Sequence, residues 1–312
     1  MELFKNFLKT TKEPEMPIGR LEEIKSNYGA ALAARESRYD ADVAAKPEMK
    51  NQRSNLNIHN EIVLGYADEL VKAHDLSEED KAAVYLAVIF HDSGKLASGL
   101  MEHHLKGKEY AEFLLDQLPP IKQGDETIVV TPELKEKVLN AITRHMNHPF
   151  LVMAKKGERF PEPENDIDKI VFDADMMANL GFKNVCFRLT SEKYLNEDLA
   201  EASKKGIAAL KETFNNIMAG VRELGEIVLT EPAKERTGQL AEATEKIFEF
   251  LKENNTLEKI QDKYSINGEY NFASIKQAPG GVAALEDDLN SAILKAAQEQ
   301  GIDKKIVKNF IM

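Results

Sequence analysis

The sequence predicts an all-α protein. Apolar residues recur at spacings of three and four from Pro17 almost to the C-terminus, and capping signals open several of these runs. No strand-rich region, internal repeat or low-complexity tract interrupts them. With 312 residues, 43% of them hydrophobic and 30% charged, the chain can build one large core, or a core domain with appendages.

The elements follow in order. Residues 1–16 mix Lys, Glu and Pro without periodicity and read as a short helix and a loose lead-in. Pro17 to Ala45 carries Leu21, Ile24, Tyr28 and Leu32 at helical spacing, and the polar stretch 46–56 reads as a linker. A helix is predicted from Asn57 to His74, through Ile58, Ile62, Ala67 and Leu70. Ser77-Glu78-Glu79-Asp80 is an N-terminal capping segment for a helix from Glu78 to His91, which Gly94 is expected to stop. Another helix runs from Met101 to Leu118 and ends at Pro119-Pro120. After a loop, Thr131-Pro132-Glu133 opens a helix with Leu134, Val138, Ala141, Ile142 and His145, ending before Pro149. Residues 154–166 form a charged, proline-bearing loop, and Asp166 starts a helix through Ile170, Phe172, Ala174 and Met177 to a stop at Gly181. Helical runs follow over 196–228 and 232–253. The stretch 254–281 is turn-rich (Asn267-Gly268, Pro279-Gly280-Gly281), and 282–299 is a closing helix whose apolar face is expected to dock on its own domain. The implied organisation is an N-terminal helical extension (1–54), a core domain (55–253) and a C-terminal loop-and-helix extension (254–312).

A net charge of −12 disfavours binding to long nucleic acid, whose affinity comes from Lys and Arg neutralising phosphates. It leaves room for a small anionic substrate, because metal ions and a few local cations can dominate the field in a cleft. The longest apolar runs, such as Ala82–Phe90, are far short of the roughly 20 residues of a membrane span. The N-terminus lacks the charged-then-apolar pattern of a secretory signal. One cysteine, Cys186, excludes an internal disulfide and fits a reducing compartment, so a cytoplasmic location is expected.

The chemistry-bearing residues are concentrated. All seven histidines (His59, His74, His91, His103, His104, His145 and His148) lie between positions 59 and 148. At their centre, the apolar run Val88-Ile89-Phe90 meets His91-Asp92-Ser93-Gly94-Lys95. Neighbours on a helix point about 100° apart, but at a helix end His91 and Asp92 can converge on one centre. Imidazole nitrogen and carboxylate oxygen are ligands for Zn, Mn and Fe class ions. Five predicted helices each present a His or Asp on an otherwise apolar face, and such groups are costly in a core unless satisfied.

The pattern His59 … His91-Asp92 … His103 … His145 … Asp175 resembles the HD superfamily of metal-dependent phosphohydrolases. Asp92-Ser93-Gly94-Lys95 is similar to its His-Asp-Ile-Gly-Lys variant, and the contexts His103-x3-Gly107-x3-Ala111, Ala141-Ile142-x2-His145 and Asp173-Ala174-Asp175 agree with it. Leu229-Thr230-Glu231 with Ala233 and Arg236 is like the closing helix of small bacterial members. The resemblance covers residues 55–253 and implies an HD-domain helical bundle. It implies that His59, His91, Asp92 and Asp175 hold one metal and that Asp92 bridges to a second, held by His103 and His145. The glycine spacing favours His103 over His104. The ion count, one or two, and the choice among Mn, Fe, Co, Zn and Mg stay open.

The implied reaction is hydrolysis of a phosphoester or phosphoanhydride of a small phosphorylated molecule, a nucleotide above all, by a hydroxide bridging the metals. Asp92 and Lys95 would be catalytic. Lys95 and Arg144 would bind the phosphate; a solvated loop lysine and a surface salt bridge are the alternatives. Lys155, Lys156 and Arg159 are candidates for a basic lid, Asp173 for a supporting acceptor or cap, His148 for a surface-loop or substrate group, and His74 for an exposed residue. Two departures stand out. Met176-Met177 replaces the arginine that often follows the position of Asp175, and the Gly-Tyr-Pro extension that accompanies cyclic di-GMP hydrolysis is missing. Two other functions remain open: an HD-fold di-iron oxygenase acting on a polyol or phosphonate, and a non-catalytic binding or regulatory module. A homo-oligomer is compatible with each.

Overall fold

The Glu78–Phe90 helix is the centre of the fold. Ser77 opens it by accepting a hydrogen bond from the Asp80 amide at 3.1 Å, and Glu78, Glu79 and Asp80 place negative charge in the first turn. Every side chain from Ala82 to Phe90 is buried, because the helices Lys50–Ala73, Pro132–Arg144 and Asp166–Ala178 pack against it. A helix covered on all sides needs no polar face, which explains the unbroken apolar run. The structure, a computed structural model, describes residues 18–148, 152, 157, 159–180, 188–189, 192–303 and 306. Its class is all-α. The expected features at 1–16, Pro149, Lys155, Lys156, Gly181 and Cys186 lie outside the described residues.

Four elements differ from the sequence reading. The polar stretch 46–56 is not a linker: Pro47–Met49 is a short 3-10 turn, and Lys50 starts a helix that continues to Ala73. Its polar first turns are held by the preceding helix, Gly29–Ala45. Arg53 pairs with Asp40 and with Glu36, and Asn57 donates to Glu36 at 3.1 Å. Leu56 packs with Tyr39 and Leu96. The stretch 119–131 contains an antiparallel hairpin, Ile121–Gln123 with Glu126–Ile128, turned by Gly124 at φ +57°. Its three-residue strands are too short to show a period, and it is anchored by Gln123, which accepts from Tyr28 and donates to Glu78.

The run 196–228 is two helices, Glu192–Lys205 and Ala209–Ile227. Gly206, at φ +64°, ends the first one: its amide meets the Ser203 carbonyl and the Ile207 amide meets that of Ala202, the Schellman arrangement. The turn-rich stretch holds two short helices, Thr256–Lys263 and Phe272–Gln277, with Asn267 and Gly268 both left-handed between them, as a I′ turn requires.

The closing helix, Gly281–Glu299, packs on Glu231–Glu253, and its Leu285, Leu289 and Ile293 enter the same core as the rest of the chain. That apolar core runs from Ile24 to Ala297, and position 54/55 falls inside the Lys50–Ala73 helix. Among the described residues no helix is long and apolar enough to cross a membrane.

Candidate metal centre

Helix ends deliver most of the site. His91 caps the C-terminus of Glu78–Phe90, with Asp92 next, and His145 caps the C-terminus of Pro132–Arg144. His103 is the first residue of His103–Leu115. His59 and Asp175 project from within Lys50–Ala73 and Asp166–Ala178. All six are buried, in two groups that could each hold a metal ion: His59, His91 and Asp175, and Asp92, His103 and His145.

Asp92 lies between the groups. Its Oδ2 is 3.7 Å from both His59 Nε2 and His91 Nε2, while its Oδ1 is 3.1 Å from His103 Nε2. His59 Nε2 is 2.9 Å from Asp175 Oδ1, and His103 and His145 bring their Nε2 atoms to 3.1 Å.

The tautomers follow from the backbone. His91, His103 and His145 each place Nδ1 at 2.6–2.7 Å from the carbonyl three residues earlier (Val88, Leu100 and Ile142). A carbonyl only accepts, so each Nδ1 carries the proton and each Nε2 points a lone pair inward. His103 Nε2 lies 3.1 Å from both His145 Nε2 and Asp92 Oδ1, a convergence of lone-pair-bearing atoms that a cation would suit. An added proton is disfavoured at His145, whose pKa is driven well below the usual range by burial and by the neighbouring His103 and His91. His91 Nε2 is buried without a hydrogen-bond partner. The donor set, imidazole nitrogen with carboxylate oxygen, fits divalent transition ions.

Lys95 sits against Asp92, with Nζ 2.8 and 3.0 Å from its two carboxylate oxygens. Burial alone would raise the Asp92 pKa, but Lys95 and the adjacent imidazoles outweigh it and hold the carboxyl well below the ordinary range. Burial likewise opposes the Lys95 charge, and Asp92 and Asp175 more than restore it.

Gly94 explains how His103 arrives. Its φ is −83°, so it does not end the helix by a left-handed turn. Its role is close approach: a Cβ there would lie 2.5 Å from both the Gly107 amide nitrogen and the His103 carbonyl oxygen. Gly107 reciprocates, with a Cβ position 3.2 Å from the His91 carbonyl oxygen. These two glycines let the first turn of His103–Leu115 lie directly on the His91–Gly94 backbone.

Other expected site residues are placed differently. The Arg144 guanidinium pairs with Asp168 at 2.7 Å and with Glu164 at 2.7 Å, tying down the start of Asp166–Ala178. That is the salt-bridge alternative, with Asp168 fully buried. His104 packs edge-on against Phe160 at 5.2 Å, and His103 is the member of the pair that enters the cluster. His148 lies in the loop after the Pro132–Arg144 helix and is half-buried; burial lowers its pKa, and Asp175, Glu223 and Lys95 all act on it. His74 is half-buried and donates through Nδ1 to the Leu70 carbonyl at 2.7 Å. Asp173 is a cap: it accepts from the Leu229 and Thr230 amides and the Thr230 hydroxyl at 2.7–2.8 Å, clamping the Glu231–Glu253 helix onto the helix of Asp175. Met176 and Met177 are both core residues, and Arg159 is an exposed partner of Glu162. A cavity of about 600 Å³ is lined by Asn147, Arg159, Lys169, Phe172 and Leu229, among others. None of the six clustered residues is among those lining it.

Asn60 was missed by the sequence reading. It is 1% exposed and donates to the Val88 carbonyl at 2.6 Å, the same oxygen that takes the His91 Nδ1 proton. It thereby locks the helix of His59 to the turn of His91. An asparagine beside a histidine carries no sequence signal for this, because the partner carbonyl is 28 residues away. Asn60→Ala is expected to weaken metal binding by about 10- to 100-fold, the usual loss when a partner of a ligand is removed. Metal titration checks it; unchanged affinity would exclude this role.

Comparison with protein-family models, curated proteins and solved structures finds no match for this chain.

Proposed function

We propose that the protein is a metal-dependent phosphohydrolase of the HD superfamily, cleaving a phosphoester or phosphoanhydride of a small phosphorylated substrate, a nucleotide above all. One observation carries this reading: the two oxygens of a single buried carboxylate, Asp92, turn toward two separate sets of buried His and Asp side chains that could each hold an ion. Bound divalent ions would supply Lewis-acid polarisation of phosphoryl oxygens and a water of lowered pKa.

The chain's own residues do the rest. Carbonyls 88, 100 and 142 hold three imidazoles in one tautomer, so the ligand lone pairs are aimed before any ion arrives. Asp92 stays ionised, as a bridging ligand must. Lys95 keeps a positive charge beside it, where a phosphoryl oxygen can take one of its donors.

Elemental analysis of the purified protein, followed by anaerobic assay of phosphate release from nucleotides with Mn, Co, Mg and Fe, tests the reading. Metal bound together with phosphate released is the expected result. Iron with oxygen uptake on a polyol or phosphonate, and no phosphate released, would replace it with the oxygenase.

A further inference from the structure

Arg35 has no assigned task, and its surroundings suggest one. It lies on the inward face of the Gly29–Ala45 helix, in line with Ala31, Tyr39 and Asp42, and is 4% exposed. Its Nη2 donates to Glu36 Oε1 at 2.8 Å and reaches Asn57 Oδ1 at 3.4 Å. Its Nε and Nη1 are buried without a hydrogen-bond partner among the described residues. Glu36 is shared, since Arg53 and Asn57 also donate to it at 3.0 and 3.1 Å. A guanidinium cannot shed its proton, so a buried one with two unused donor nitrogens is costly unless an acceptor joins it.

The location relates this residue to the metal centre. The Arg35 Cζ lies 5.5 Å from the Tyr39 ring, and Tyr39 packs with Leu56 and with Leu96, the neighbour of Lys95. Burial raises the Tyr39 hydroxyl pKa, Arg35 lowers it, and the Asp92 carboxylate raises it again, which sets Arg35 and Asp92 around one tyrosine. On its other side Arg35 meets Asn57, two residues before His59. Arg35 is therefore one side chain removed from both the Lys95 segment and the His59 helix.

We propose that Arg35 binds a second anionic group of the substrate, a phosphate or a carboxylate, while the first phosphate lies at Asp92 and Lys95. An oxyanion on either edge of the guanidinium would give Nε or Nη1 an acceptor that it lacks, in a charge-assisted hydrogen bond. The substrate class narrows to small molecules with two nearby anionic groups, such as diphosphates or phosphorylated carboxylates. The position of the first phosphate rests on the hydrolase reading above; the pairing of Arg35 with an anion does not.

Calorimetric titration of the metal-loaded full chain tests it with three probes that are not hydrolysed: orthophosphate, methylenediphosphonate and phosphonoacetate. Wild-type protein is expected to bind at least one of the two dianionic-group probes about tenfold or more tightly than orthophosphate, and which one identifies the second group. Arg35→Gln should erase that preference while orthophosphate affinity and metal content change less than twofold. Arg35→Lys, which keeps the charge but not the planar fork, should retain part of it and serves if the glutamine variant misfolds. Wild-type protein with no such preference, or a variant that loses all three probes equally, would overturn the proposal and leave Arg35 a structural pin. Because the readout is binding, a protein that shows the preference yet releases no phosphate from any substrate would refute the hydrolase and not this site.

Discussion

Asp92→Ala protein is expected to lose both metal sites together. The side chain contributes one oxygen to the His103–His145 group and the other to the His59–His91 side, so no single other substitution touches both. On the hydrolase reading proposed above, phosphate release should fall by at least about 100-fold, the upper end of what loss of even a supporting group costs a metal site. The substitution also strands Lys95, whose Nζ rests on that carboxylate at 2.8 Å. Chelation separates the two effects. Metal bound only by the folded state stabilises wild-type protein by about 2.7 kcal/mol at a hundred times its dissociation constant. Chelator should therefore lower the melting temperature of the wild type and leave that of Asp92→Ala unchanged. A folded Asp92→Ala protein that keeps its metal and activity would dismiss the bridge.

Gly94→Ala is the second large effect, and it works through backbone alone. The added methyl would stand 2.5 Å from the Gly107 nitrogen and the His103 oxygen, atoms that cannot swing aside. The first turn of His103–Leu115 has to move, at about 1–3 kcal/mol for overpacking of this kind. His103 moves with it, away from His145 Nε2 and Asp92 Oδ1, both now at 3.1 Å. Melting temperature and metal content should fall together. Gly65→Ala, inside the Lys50–Ala73 helix with nothing within 4 Å of its Cβ position, is the control and should be neutral or stabilising by up to about 1 kcal/mol. Gly94→Ala protein that melts and binds metal like the wild type would rule out close approach as the reason for this glycine.

Both predictions concern residues legible in the sequence, though for different reasons than the structure supplies. His91-Asp92 stands out because an apolar run ends in two polar groups, and the other candidate ligands because each is a lone His or Asp on an apolar face. Such groups are visible since a core does not tolerate them without partners. Gly94 was legible only as punctuation; that it admits another backbone depends on a segment nine to thirteen residues away. Arg144 looked like a phosphate contact because it precedes His145. Its partner, Asp168, is 24 residues on and on another helix, so a salt bridge could be named as an alternative but its partner could not.

By itself the sequence determined the helical class, the caps at Ser77 and Thr131 and the Asn267-Gly268 turn, while the six candidate ligands came from its resemblance to a family pattern. These are local matters: a period, a cap or a left-handed turn is encoded within a few residues. The structure gathers the six in the two groups that the resemblance implied, with Asp92 turning one oxygen to each side, and tertiary structure alone showed Asn60 sharing a carbonyl with His91 and Arg35 carrying two buried donors without partners among the described residues. Hydrogen-bond satisfaction in a core depends on which distant backbone and side-chain atoms are brought within about 3 Å, and no periodicity along the chain reports that.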